Sequence, residues 1–92
     1  MKKCVKDELD EAIHTMKEII EDRGVPRNIR AAVENALKKV DCKKPKTVDF
    51  SMAIYLLDDI SNDINMPLHT RTAIWTAISK LESVKEKVKE LE

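Results

Sequence analysis

The sequence is short of the residues that break, cross-link or decorate a chain: one glycine, three prolines, two cysteines and a single Trp, Tyr and Phe each in 92 residues. So little glycine and proline excludes a loop-rich or collagen-like chain. Cys4 and Cys42 stand far apart without a CxxC pair, which argues against a disulfide scaffold and predicts free thiols in a reducing compartment. Net charge is also missing, because 17 basic side chains balance 17 acidic ones. No overall field therefore steers the molecule towards nucleic acid or an anionic membrane, and such binding would have to come from a local patch. No apolar run reaches the roughly 18 residues of a spanning helix, and the chain opens Met1-Lys2-Lys3 without an apolar signal segment. The expectation is a cytoplasmic protein that does not enter a membrane.

What is present is a high content of both hydrophobic (42%) and charged (37%) residues, the composition of a folded helical protein. One domain spanning residues 1–92 is expected. From Val5 to Arg23 the apolar residues Val5, Leu9, Ala12, Ile13, Met16, Ile19 and Ile20 recur at helical spacing. Gly24 ends that helix in left-handed geometry, and Pro26 opens the next, with Ile29, Ala32, Val33, Ala36, Leu37 and Val40 as its stripe. A polar, lysine-rich linker over 41–48 precedes helix 3, with Asp49 as its cap. Helix 3 carries Phe50, Met52, Ala53, Ile54, Leu56, Leu57 and Ile60, an apolar surface so wide that this helix is expected to be the most buried element. Pro67 opens helix 4, whose Ile74, Ala77, Leu81, Val84, Val88 and Leu91 form a seam of alternating threes and fours. The fold class is all-α.

Sliding the sequence by 41 positions lays the first hairpin (about 5–40) on the second (about 49–91). Ile13, Ile19, Asp22, Pro26, Arg30, Ala32, Ala36 and Lys39 fall on Ile54, Ile60, Asp63, Pro67, Arg71, Ala73, Ala77 and Lys80. Apolar periodicity alone would not bring an Asp, a Pro and an Arg into one register, so the chain reads as an internal duplication. A period near 41 lies in the range of HEAT and armadillo repeats, and the pattern Asp22, Pro26, Ile29, Arg30, Ala32, Ala36, Leu37 resembles the turn and second helix of a HEAT repeat. Two architectures satisfy it: a HEAT-like pair of stacked hairpins, or a four-helix bundle.

The segments Glu21-Asp22-Arg23, Val25-Pro26-Arg27-Asn28-Ile29-Arg30, Ala53-Ile54-Tyr55-Leu56-Leu57-Asp58, Ile60-Ser61-Asn62-Asp63 and Asn65-Met66-Pro67-Leu68-His69-Thr70-Arg71 resemble the uncharacterised archaeal protein family 0147. The resemblance covers most of the chain apart from the lysine-rich linker. It implies a compact helical fold and an archaeal cytoplasm, and it brings no activity, cofactor or catalytic residue.

No catalytic constellation emerges. His14 and His69 lack partners at metal-ligand spacing and read as packing or surface residues. Asp58, Asp59 and Asp63 form an acidic group at the end of helix 3, but Asp58 and Asp59 project roughly 100° apart on a helix and cannot share one ion unaided. A metal-dependent enzyme built on them is the least favoured reading, since neither a nucleophile–base pair nor a Gly-rich loop accompanies the acids. The sequence predicts no cofactor and no metal. Asp22 with Arg30, and Asp63 with Arg71, are expected to pair within each turn or between hairpins. Lys38, Lys39, Lys43, Lys44 and Lys46 are candidate phosphate contacts, but with no aromatic nearby for stacking they would bind nucleic acid weakly and without sequence preference.

The two copies differ most where one is polar. His14, Thr15, Arg23, Arg27 and Glu34 in the first are Tyr55, Leu56, Ile64, Leu68 and Trp75 in the second, so the second hairpin carries extra apolar surface of the kind that anchors protein interfaces. Helix 4 also runs about ten residues past its counterpart, as a short coiled coil would. The expected function is a non-enzymatic protein–protein interaction or scaffold module that self-associates through Tyr55, Leu56, Ile64, Leu68, Trp75, Val84, Val88 and Leu91. The alternative is a nucleic-acid or ribosome-associated accessory protein working through the lysine linker.

Overall fold

Heptad-spaced apolar residues give each segment one buried stripe, and four such stripes close on one another in the computed structural model. It describes the backbone over 3–91 and the side chains over 5–91; the thiol of Cys4 lies outside the described residues. The helices are α1 (Lys3–Glu21), α2 (Arg27–Val40), α3 (Thr47–Ile60) and α4 (Leu68–Leu91). α1 packs on α2, α2 on α3, α3 on α4 and α4 back on α1, whereas the backbones of the diagonal pairs stay farther apart among the described residues. Stacked HEAT-like hairpins would bring α1 against α3 and α2 against α4. The closed ring is instead the up-and-down four-helix bundle, a rod of 38 × 19 × 18 Å.

Each helix contributes one stripe to the core: Val5, Leu9, Ala12, Met16 and Ile19 from α1; Ile29, Val33, Ala36, Leu37 and Val40 from α2; Phe50, Ala53 and Leu57 from α3; and Ile74, Ala77, Leu81, Val84 and Val88 from α4. Apart from Leu37, which adjoins Ala36, the steps alternate between three and four, the spacing that keeps a seam facing its neighbours along a bundle. α3 is not the most buried element. A ring of four helices covers only one stripe of each, so the rest of its wide apolar surface, including Val48, Met52 and Tyr55, faces outward.

The two inter-helix turns sit at the same end of the rod and repeat one another bond for bond. The N–H of Asp22 donates to Ile19 O and that of Asp63 to Ile60 O; Val25 donates to Asp22 O and Met66 to Asp63 O; Arg30 donates to Pro26 O and Arg71 to Pro67 O. Asp22 Oδ1 accepts the Gly24 N–H at 2.8 Å, and Asp63 Oδ1 accepts the Asn65 N–H at 2.8 Å. These are Asx-turns, in which a short carboxylate mimics the backbone carbonyl of a turn. Gly24 is not in the left-handed region expected of it, since no described residue has positive φ. Its counterpart is Asn65, so the turn does not require glycine at this position. Ahead of α3, Asp49 is the third residue of the helix and not its cap. Its Oδ2 reaches back to accept the Lys46 N–H at 2.8 Å, satisfying one donor left free at a helix start.

Candidate interaction surface

The duplication makes the two hairpins comparable position by position, and their outer faces differ in one respect. Among the described residues, the large hydrophobic side chains left exposed are Val48, Met52, Tyr55, Ile64, Leu68, Trp75 and Leu91. All belong to the second hairpin or its extension. Those within the repeat stand where the first hairpin has Asp7, Glu11, His14, Arg23, Arg27 and Glu34, six residues of which five are charged. Equivalent outer positions are thus polar on the first hairpin and apolar on the second. Exposure is strong: Tyr55 is 70% accessible, Ile64 90%, Leu68 76% and Trp75 56%.

Of the expected interface residues, Tyr55, Ile64, Leu68, Trp75 and Leu91 lie on the surface, and Leu56 is half-buried. Val84 and Val88 do not belong with them. Both are buried inside the chain's own core, because the C-terminal part of α4 packs along the start of α1, where Lys87 pairs with Glu8 at 3.6 Å and Lys80 with Glu11. The coiled-coil seam of α4 is closed within one molecule. Val48 and Met52 were absent from the expected interface although the repeat comparison contains their signal, the apolar replacement of Asp7 and Glu11. Val48 falls in the linker expected over 41–48, and Met52 in the wide apolar surface expected to bury helix 3.

Two grooves flank the ridge that Tyr55 forms on α3. Between α2 and α3 lies an apolar groove of about 560 Å³, floored by Met52, Tyr55 and Leu56 and edged by Asn35, Lys38 and Lys39. Between α3 and α4 the second is more polar, with Ile54 and Ile78 beneath Asp58, Glu82, Lys85 and Glu86. Lys38 and Lys39 therefore line the same groove as Tyr55, an aromatic that the sequence pattern does not bring near the lysines. Lys38 also pairs with Glu34 at 3.6 Å. Lys43, Lys44 and Lys46 are exposed in the loop at the end of the rod away from the two turns, with Cys42 also exposed there.

The acidic group does not converge. Asp58 and Asp59 are exposed, and the Asp63 carboxylate is engaged by the Asn65 N–H and by Asn28 Nδ2 at 3.0 Å. Among the described residues no three His, Cys, Asp or Glu side chains are placed to hold one metal ion. Nor do the aspartates pair with the repeated arginines. Arg30 Nε donates to Val25 O at 3.1 Å and Arg71 Nη2 to Asp63 O at 3.0 Å, each folding back on the carbonyls of its own turn. The carboxylates reach across to the other hairpin instead. Asp22 meets His69 at 3.0 Å, as Asp63 meets Asn28. The hydrogen bond from His69, with a smaller contribution from the Gly24 N–H, holds the Asp22 carboxyl below its ordinary value of 3.8. His14 pairs with Glu18 one turn along α1 at 3.1 Å.

The fold is that of a small all-α protein, a closed four-helix bundle. The chain belongs to the uncharacterised protein family UPF0147, whose model matches residues 1–84. It is also similar to a crystal structure of the unknown-function protein MMP1188, with 47% identity over 85% of this chain and 90% of that one and a TM-score of 0.78. No curated protein matches it. No helix among the described residues is long and apolar enough to cross a membrane.

Proposed function

We propose that the protein is a non-enzymatic interaction module that self-associates through the outer face of its second hairpin. The observation that supports this is the exchange, at equivalent positions of one duplicated backbone, of polar side chains for Val48, Met52, Tyr55, Ile64, Leu68 and Trp75. Exposed apolar residues scattered singly on a surface need no explanation, whereas their restriction to one of two equivalent hairpins, with an exposed Trp and Tyr among them, favours a protein contact. The test is to write the first hairpin's residues into the second, as Tyr55→His, Leu68→Arg and Trp75→Glu. Because these side chains project into solvent, the helix content should be unchanged. The weight-average mass by light scattering should fall from that of an associated species to that of one chain. Retention of the associated mass in the triple variant would reject the reading.

A second reading draws on the α2–α3 groove, which Tyr55 lines together with Lys38 and Lys39. An aromatic platform with flanking cations is the minimal equipment for a single-stranded nucleic acid, and the contact would be weak in a molecule without net charge. Titration of a labelled oligonucleotide at two salt concentrations tests it; no binding at low salt removes it.

A further inference from the structure

The exposed stripe of α3 has direction as well as hydrophobicity. Lys43, Lys44 and Lys46 stand exposed just before its N-terminal end and Asp59 continues it at its C-terminal end, with Val48, Met52 and Tyr55 between them and Asp58 beside it at the α3–α4 groove. A stripe that is basic at one end and acidic at the other is complementary to a reversed copy of itself and repels a parallel one. Reversal also sets the two helix dipoles in the favourable sense. We infer that the occupant of this face is a second copy of the chain, its α3 laid antiparallel on the first across a two-fold axis beside Met52. The inference rests on the interaction-module reading above and specifies its partner and register.

The register follows from helix geometry. The midpoint between Lys46 and Asp59 falls at Met52, so an axis there places each of these charges opposite the other on the neighbouring copy, about 10 Å from the centre at 1.5 Å per residue. The same axis brings each Tyr55 ring opposite the gap between the neighbouring copy's Val48 and Met52, a knob-into-hole contact with a thioether against the ring. Such a pairing is isologous and closed, the commonest form of soluble oligomer.

The experiment is light scattering on the full chain over a wide concentration range, with charge-reversed variants. The parent is expected to have the mass of a dimer. The variant Lys43→Glu, Lys44→Glu, Lys46→Glu and the variant Asp58→Lys, Asp59→Lys should each dissociate at least about tenfold more readily, since each meets like charge at both ends. An equimolar mixture of the two should recover the dimer, as should one chain carrying all five substitutions, and that recovery excludes misfolding as the cause. If the charge variants remain dimeric while the Tyr55, Leu68, Trp75 variant is monomeric, the antiparallel register is overturned and the docking face stands. A parent that is monomeric at every concentration overturns the second copy as occupant.

Discussion

His69 Nε2 lies 3.0 Å from Asp22 Oδ2, and Asn28 Nδ2 donates to Asp63 Oδ2 at the same distance. His69 and Asn28 are equivalent positions of the duplicated sequence, as are Asp22 and Asp63. Each carboxylate thus does two things with its two oxygens: Oδ1 shapes its own turn through the N–H two residues on, and Oδ2 ties that turn to the other hairpin. The clasp joins the hairpins at the end of the rod where neither helix of one is covalently linked to the other.

The clasp is sensitive to acid. Hydrogen bonds from His69 and the Gly24 N–H favour the ionised Asp22 carboxyl and lower its pKa from 3.8. A group whose pKa is depressed by folding contributes stability that is fully present above its unfolded value and is lost as pH falls through the folded one. Stability measured by urea denaturation should therefore drop below about pH 3.8 more steeply in the parent than in Asp22→Asn, which cannot titrate. Equal acid slopes would mean that the carboxylate gains nothing from the clasp.

The pairing of Asp22 with His69 was not legible in the sequence, although all its parts were. The register of 41 placed Asp22, Asp63, Arg30 and Arg71 correctly, and opposite charges at equivalent positions suggested Asp–Arg pairs. Which partner each carboxylate takes depends on the two turns lying side by side, a consequence of ring closure that no local pattern encodes. The helices, the core seam and the polar-to-apolar exchanges were legible because spacing alone carries them. α3 was misjudged because an apolar surface wider than one stripe predicts either complete burial or an exposed contact face, and only the number of surrounding helices decides. The seam of α4 had the same ambiguity, and α1 resolves it by covering Val84 and Val88.

The outward and inward faces of α3 should respond oppositely to truncation. Phe50 is fully buried, and Phe50→Ala should cost about 3–5 kcal/mol of unfolding free energy through lost transfer energy and the cavity left behind. Tyr55→Ala, on the exposed side, should lie within about 0.5 kcal/mol of the parent in dilute solution. Guanidinium titrations at low protein concentration separate the two. A large loss for Tyr55→Ala would place its ring in the monomer's core.

The start of α3 offers a local test. Asp49 Oδ2 accepts the Lys46 N–H and adds a negative charge within the first turn, so Asp49→Ala should cost on the order of 1 kcal/mol. Asp49→Asn, which keeps the acceptor and loses the charge, should recover part of that loss. If both variants match the parent in thermal unfolding, water serves the N–H as well as the carboxylate does.

Cutting the chain after Leu81 separates the two roles conceivable for the end of α4. Val84 and Val88 are buried in the core, in the part of α4 that the Lys87–Glu8 pair ties to α1. Each buried valine contributes on the order of 1.5 kcal/mol, and truncation also uncovers the α1 residues they cover. The truncated chain should lose about 3 kcal/mol or more, a large fraction of the 5–15 kcal/mol typical of a folded domain. The expected sign is a lowered and broadened thermal transition together with faster amide exchange in the first turns of α1. A truncated chain that keeps the parent's melting temperature and loses only its association would return the α4 seam to the interface and remove it from the core.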